Sequence, residues 1–364
     1  MTRTRIALPA ILTSTALLLA ACGSGNGTGT DPTADGTDAA ESGPLVVSTF
    51  AFGAEAFDEA IVKPFEEATG YTVEVETGNN ADRLSTLRVA GDRNEVDVIL
   101  ISDFYAAMGE DQDLFQAVDA DKIPALTEIA DFAVNDAFSG PAYTFQLNGI
   151  LHRTADVTAQ RAADWDLFAD DSLAGRLAFP DITTTGGQLS VAAVGEVYGD
   201  DAYDIDTALS TLAGWRSNIL QFTTSSTELT NLIVQGEVVA APTLNAFATE
   251  LVNDGSGDFA WTAPEKGRFM ATNRALIPAA APHPQMAHEF INYLLGVEAQ
   301  QKSAELVGDL PVNPGATVPA KLTAVVGDLA ADPTAGGYKT LDTAVIVANY
   351  DAWTERFARE VTAR

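Results

Sequence analysis

Val96-Asp97-Val98-Ile99-Leu100-Ile101 is apolar at every position but Asp97. A strand apolar along its whole length is covered on both faces, as in sheets sandwiched between helices. Upstream, Leu45-Val46-Val47-Ser48-Thr49-Phe50 is a second run of this kind, rich in β-branched residues. Between them, residues 54–69 set Phe57, Ile61 and Phe65 at four-residue steps, with Glu55, Glu59 and Glu66 on another face. That spacing predicts an amphipathic helix, bent at Pro64 and ended by Gly70. Residues 71–75 alternate as a strand, and 81–90 read as a helix with Leu84, Leu87 and Arg88. Strand and helix in alternation imply an α/β protein with a parallel sheet. Ligands in such sheets sit beyond the carboxyl ends of the strands, here residues 50–53 and 102–105.

The pattern continues downstream. Residues 143–151 read as a crossing strand, 165–168 as a helix, and 175–181 as a turn and strand. Helices are expected over 188–198 and 206–215, a strand over 237–241, and a helix over 246–253 ended near Gly255. Residues 274–279 are strand-like. Residues 284–295 form a helix with Phe290, Ile291, Leu294 and Leu295 inward, and 341–361 a last helix with Tyr350, Trp353 and Phe357. From Leu45 onward the chain has about 320 residues, enough for two domains or lobes. No repeat appears and no linker divides this body, so the chain is expected to cross between lobes more than once.

The N-terminal end has a different character. Arg3 and Arg5 precede a short apolar run that ends at Leu19-Ala20-Ala21-Cys22, the layout of a secretory signal. Cys22 is the only cysteine in the chain, which excludes an intramolecular disulfide. Leu19 to Cys22 resembles the lipobox of bacterial lipoproteins, in which the thiol is acylated and becomes the new N-terminus. Residues 1–22 are thus expected to be a lipoprotein signal peptide, with lipidation at Cys22. Two acyl chains suffice for lasting membrane attachment where one is marginal. Residues 23–44 are almost entirely small and polar and are expected to form a disordered linker. The protein is therefore expected outside the cytoplasm, anchored to the cell membrane.

The formal net charge is −31, and cleavage before Cys22 would remove two arginines and take it to −33. This excludes nucleic acid and anionic lipid surfaces as partners. Strong acidity fits either a solubilising surface or a cationic substrate.

Several segments in order resemble the extracellular solute-binding proteins of ABC importers, in particular the spermidine/putrescine-binding group. They begin with Val62-Lys63-Pro64-Phe65-Glu66-Glu67-Ala68-Thr69-Gly70, Asp97-Val98 with Ser102, and Trp165-Asp166-Leu167-Phe168 with Leu173-Ala174-Gly175-Arg176. They continue with Gln235-Gly236-Glu237-Val238, Ala263-Pro264-Glu265-Lys266-Gly267, Ile277-Pro278, and Gly308-Asp309-Leu310-Pro311-Val312-Asn313-Pro314. Thiamine- and iron(III)-binding relatives share Val197-Tyr198-Gly199-Asp200-Asp201-Ala202 and the final Trp353 helix. The resemblance implies a two-lobed periplasmic-binding-protein-like fold (type 2) with the ligand cleft between the lobes. Lobe 1 would comprise 45–149 plus 271–314, and lobe 2 150–270 plus 315–364. It implies a binding protein rather than an enzyme, a monomer, without cofactor or metal, that closes by a hinge and delivers its solute to a membrane permease.

By the same resemblance the ligand-binding positions fall on Phe50 or Phe52, on Ser102, Asp103 and Phe104, on Asp181, on Thr243 and Asn245, and on Asn273. Acids would grip ammonium groups and aromatic faces would hold methylenes and cations. Asn273 and Ala271 stand where polyamine binders carry an acid and a tryptophan, so the implied polyamine competes with thiamine or another small metabolite. No Tyr-Tyr pair is present for iron(III). Among catalytic readings, a carboxylate-based hydrolase is the alternative, because 51 acids always supply pairs. His152, His283 and His288 do not share a metal-binding spacing. Trp165, Trp215, Trp261 and Trp353 read as packing residues.

Overall fold

The computed structural model describes residues 41–363; Cys22 and residues 23–40 lie outside the described residues. The sheet is built from β1 (Leu45–Phe50), β2 (Val73–Gly78), β3 (Val98–Ser102), β4 (Phe115–Gln116), β5 (Ala142–Arg153) and β6 (Leu177–Pro180). β7 (Ile219–Thr223), β8 (Ala240–Leu244), β9 (Phe259–Thr262), β10 (Met270–Pro278) and β11 (Leu310–Pro311) complete it. Its order is β2-β1-β3-β10-β5-β8-β6-β7, with β11 and β9 added to β5 and β4 to β10.

The strands at each end are parallel, as the alternation of strand and helix requires: β2 with β1, β1 with β3, β8 with β6, β6 with β7. The middle is not. β10 runs antiparallel to both β3 and β5, and β8 runs antiparallel to β5. The expected parallel sheet is therefore corrected to a mixed one. β5 and β10 do not each follow a helix back into register; they carry the chain from one half of the sheet to the other.

The helix over 54–69 forms as its spacing predicts, with Phe57, Ile61 and Phe65 all buried. It runs as an α segment Ala54–Phe57, a wider π turn Asp58–Val62 and an α segment Lys63–Thr69. Pro64 offers no N–H to the preceding turn, which opens rather than breaks. Gly70 ends it at φ 76°, left-handed backbone that favours glycine. Phe65 meets Phe290 edge-on at 5.1 Å, so this helix and Pro284–Leu295 share one core. A second core gathers Trp165, Phe168, Phe179 and Trp215, with the Phe168 and Trp215 rings stacked at 5.6 Å.

The residues 41–43, expected within the linker, are docked. The Glu41 carboxylate accepts from the Gln285 and Met286 N–H groups at 3.1 and 2.9 Å, where a helix N-terminus favours negative charge. The last helix, Thr343–Phe357, touches helices from both halves of the molecule, Asp103–Glu110 and Ile205–Gly214. Tyr350 lies 4.9 Å from the Phe104 ring, and Arg356 pairs with Asp206 at 2.7 Å.

β5 is the strand common to both halves. Residues 142–147 pair with β10 and β11, and residues 148–153 with β8 and β9. At the hand-over, Leu147 N–H donates to Asn245 Oδ1 at 2.7 Å, and the Tyr338 hydroxyl donates to the Asn148 carbonyl at 2.9 Å. Gly149 follows. A Cβ there would lie 2.3 Å from the Trp261 ring and 2.8 Å from the Thr262 carbonyl. Gly149→Ala is therefore expected to destabilise the fold by about 1–3 kcal/mol through overpacking. Urea unfolding should show a lower midpoint at unchanged slope; an unchanged midpoint would mean that β5 and β9 spread without strain.

Candidate functional site

A cleft of about 220 Å³ opens beside the β5 hand-over, beyond the carboxyl ends of β1 and β3, where open α/β sheets place their ligands. Its floor is polar and follows the register of the sheet. Gln146 on β5 faces Ala271 on β10, and Asn273 on β10 faces Ser102 on β3. Phe50, Phe52, Phe57 and Phe247 supply apolar walls. Phe52 stands on the loop that leaves β1. It is 65% exposed and its ring lies 5.5 Å from that of Phe247, at the start of the helix Asn245–Val252. The two rings follow β1 and β8, on opposite sides of the central β10 and β5, and meet over the cleft.

Asp309 is the only charged side chain among the described residues lining the cleft. It follows Gly308, whose φ of 89° turns the chain from the helix Val297–Leu306 into β11. Desolvation pushes its carboxyl pKa up to about 6, against the opposing pull of the Ser303 hydroxyl, which donates to Oδ2 at 2.7 Å. Tyr143, buried beside it, has its phenol raised by burial and then by the charge of Asp309. The Ser102 hydroxyl is buried and meets no hydrogen-bond partner among the described residues. Beneath Phe50, the Arg83 guanidinium lies 4.9 Å from the ring centre and donates to the carbonyls of Gly78, Ser48 and Leu100. Arg83 ties the strand ends together rather than lining the cleft.

Of the residues singled out from the sequence, Phe50, Phe52, Ser102 and Asn273 line the cleft. The others do not line it, and all but Thr243 have side-chain partners elsewhere. Asp103 accepts from Phe104 N–H at 2.8 Å and from Thr272 N–H at 3.1 Å, fastening a helix start to β10; burial raises its pKa. Phe104 packs against Tyr105 and Tyr350. Asp181 accepts from the Thr183 N–H and hydroxyl at 2.9 and 2.7 Å, an Asx turn. Thr243 is buried in β8. Asn245 does not cap the helix that it begins, because its Oδ1 is taken by Leu147 of β5.

Sequence reasoning missed Asp309, Gln146, Tyr143 and Phe247. Asp309 stood inside one of the resembling segments, yet nothing local distinguishes an acid that faces a cleft from one that faces water. The histidines are engaged elsewhere: His152 with Thr262, His283 with Asp97 and His288 with Asp119. Among the described residues no cluster of His, Cys, Asp and Glu could hold a metal ion, and no helix is long and apolar enough to cross a membrane.

Residues 60–334 match the family described as bacterial extracellular solute-binding protein. The spermidine/putrescine-binding periplasmic protein 1 of Haemophilus influenzae is 23% identical over 257 residues, which are 69% of this chain and 71% of that one. Among solved structures, an ABC transporter protein from Clostridium perfringens is 26% identical with a TM-score of 0.74, over 87% of this chain and 99% of that chain. A GABA receptor structure is 21% identical with a TM-score of 0.73, over 86% and 96%. The mixed sheet with its flanking helices is the two-lobed architecture of these proteins. The chain belongs to the bacterial extracellular solute-binding protein family.

Proposed function

We propose that the chain is the solute-capturing component of an ABC importer, and that its solute is a small organic amine. The polyamines named for the Haemophilus relative are the reference members of that class. The observation that carries this reading is Asp309, the one charged group among the described residues lining an otherwise aromatic and neutral cleft. A carboxylate with no lysine, arginine or histidine beside it lowers the desolvation penalty of a bound ammonium, and aromatic faces add cation–π attraction. The cleft lies between lobe 1 (45–149 plus 271–314) and lobe 2 (150–270 plus 315–364). Closure on the solute would present the shut form to a permease. Phe52 and Phe247, one from each lobe, already lie 5.5 Å apart across the cleft.

Thermal melting with and without putrescine, spermidine and thiamine tests the reading. A solute at a thousandfold excess over Kd adds about 4 kcal/mol, so an amine should raise Tm by several degrees. Asp309→Asn should abolish the rise; a Tm that ignores every amine would exclude the class.

The pKa of Asp309, about 6, gives the pH dependence. Amine binding needs the ionised carboxyl, so affinity should weaken as pH falls through about 6, and Asp309→Asn should remove that dependence. The sign for the empty protein is the reverse. A carboxyl raised by burial adds stability that is present below about pH 4 and lost as pH rises through about 6. Asp309→Asn should therefore raise Tm at pH 8 and leave it unchanged at pH 4.

We place the protein outside the cytoplasm, held at the membrane through acylated Cys22. Support comes from the lipobox-like Leu19-Ala20-Ala21-Cys22 and from the extracellular family. Cys22→Ala should release the chain to the medium or leave it unprocessed; acyl labelling that persists in the variant would contradict the anchor.

A further inference from the structure

The polar lining of the cleft is uneven in charge. Asp309 provides one anionic group. Every other polar side chain among the described lining residues is neutral: the amides of Asn80, Gln146 and Asn273, and the hydroxyls of Thr49, Ser102, Tyr143, Thr185 and Ser226. Neighbouring strands lie about 4.8 Å apart, so the floor from Gln146 on β5 across Asn273 on β10 to Ser102 on β3 spans about 10 Å. A second ammonium resting on that floor would meet amide and hydroxyl groups but no counter-charge. An unpaired buried ion loses several kcal/mol of hydration.

The rest of the lining favours oxygen. Thr185 and Gly186 open the fourteen-residue helix Thr185–Tyr198, where the first N–H groups have no partner within the helix and the macrodipole is positive. The Thr184 side chain takes the Gly187 N–H at 3.0 Å, and Thr185 and Gly186 line the cleft. A Cβ on Gly186 would meet nothing within 4 Å, so this helix end is open. Independently, Ser102 is only 3% exposed and lines the same cleft, and its hydroxyl has no partner among the described residues. A buried hydroxyl without a partner carries a penalty of about 1–3 kcal/mol that a ligand oxygen would remove.

We infer that the cleft selects a solute with one ammonium, received by Asp309, and an oxygen-bearing far end, hydroxyl or carboxylate, received by Ser102 and the start of the helix Thr185–Tyr198. The inference rests on the amine reading and narrows it. Diamines would bind by one end only, with the second ammonium unpaid for in hydration; amino alcohols and ω-amino acids would use the whole lining.

Calorimetric titration of the purified chain at pH 7.5 with four solutes of one carbon length tests this: putrescine, 4-aminobutan-1-ol, 4-aminobutanoate and n-butylamine. The amino alcohol or the amino acid should bind at least tenfold more tightly than putrescine. Ser102→Ala should weaken the oxygen-bearing solutes fivefold or more and leave n-butylamine within twofold. Putrescine binding as tightly as both oxygen-bearing solutes, or more so, would overturn the inference and leave the amine reading standing. An unchanged affinity of Ser102→Ala for both oxygen-bearing solutes would also overturn it. If none of the four amines binds, the amine reading itself fails. The melting temperature of Ser102→Ala without solute separates a lost contact from a lost fold, since removal of an unpartnered buried hydroxyl should leave it equal or higher.

Discussion

One strand holds two sets of partners, and the rest of the molecule follows from that. β5 is twelve residues long and fully used. Its first half is paired by β10 and β11, its second by β8 and β9. Buried backbone groups must all find partners, and at the change of neighbours a ladder alone cannot supply them. Asn245, Phe269 and Tyr338 fill the gap with bonds to Leu147 N–H, Asn148 N–H and the Asn148 carbonyl. The cleft opens beside this hand-over, so the groups that steady the crossing also set the position of the site.

The charge of the whole chain and the charge of the cleft are separate matters. The chain has a net charge of −31, yet among the described lining residues one carboxylate faces the cleft. Other acids hold turns, as Asp181 does, or pair with bases, as Asp206 does with Arg356. The nearby cations are spent on the scaffold. Arg83 gives its guanidinium to three carbonyls. Arg274 is buried 3.6 Å from the Phe138 ring centre and donates to the Gly140 carbonyl. With both withdrawn, Asp309 is left without a neutralising neighbour, and desolvation raises its pKa.

Strongly patterned elements were legible in the sequence. The helix Pro284–Leu295 has the expected bounds, and the helix across 54–69 buries the expected face. All four tryptophans pack, with Trp165 donating to the Lys266 carbonyl and Trp261 to that of Thr243. β7 and β9 left no such signal. β7 pairs with β6 alone and its burial is irregular along the strand, so no period of two appears in its residues. The lining of the cleft was legible only where it lies at strand ends: Phe50, Phe52, Ser102 and Asn273 are within or just beyond β1, β3 and β10. Asp103, Asp181 and Asn245 carry the polar chemistry of a site, but nearby N–H groups compete for it and win.

The sequence by itself determined the alternation of strand and helix, the apolar faces and the family, because periodicity and segment order are local properties that survive without coordinates. The direction of the middle strands, the partners of Asn245 and the exposure of Asp309 to the cleft were decided only by tertiary structure. Each depends on which distant segment arrives alongside: β10 against β3 and β5, β8 against β5, β11 against Phe145. An aspartate has the same side chain in water and in a cleft, and only its surroundings distinguish the two.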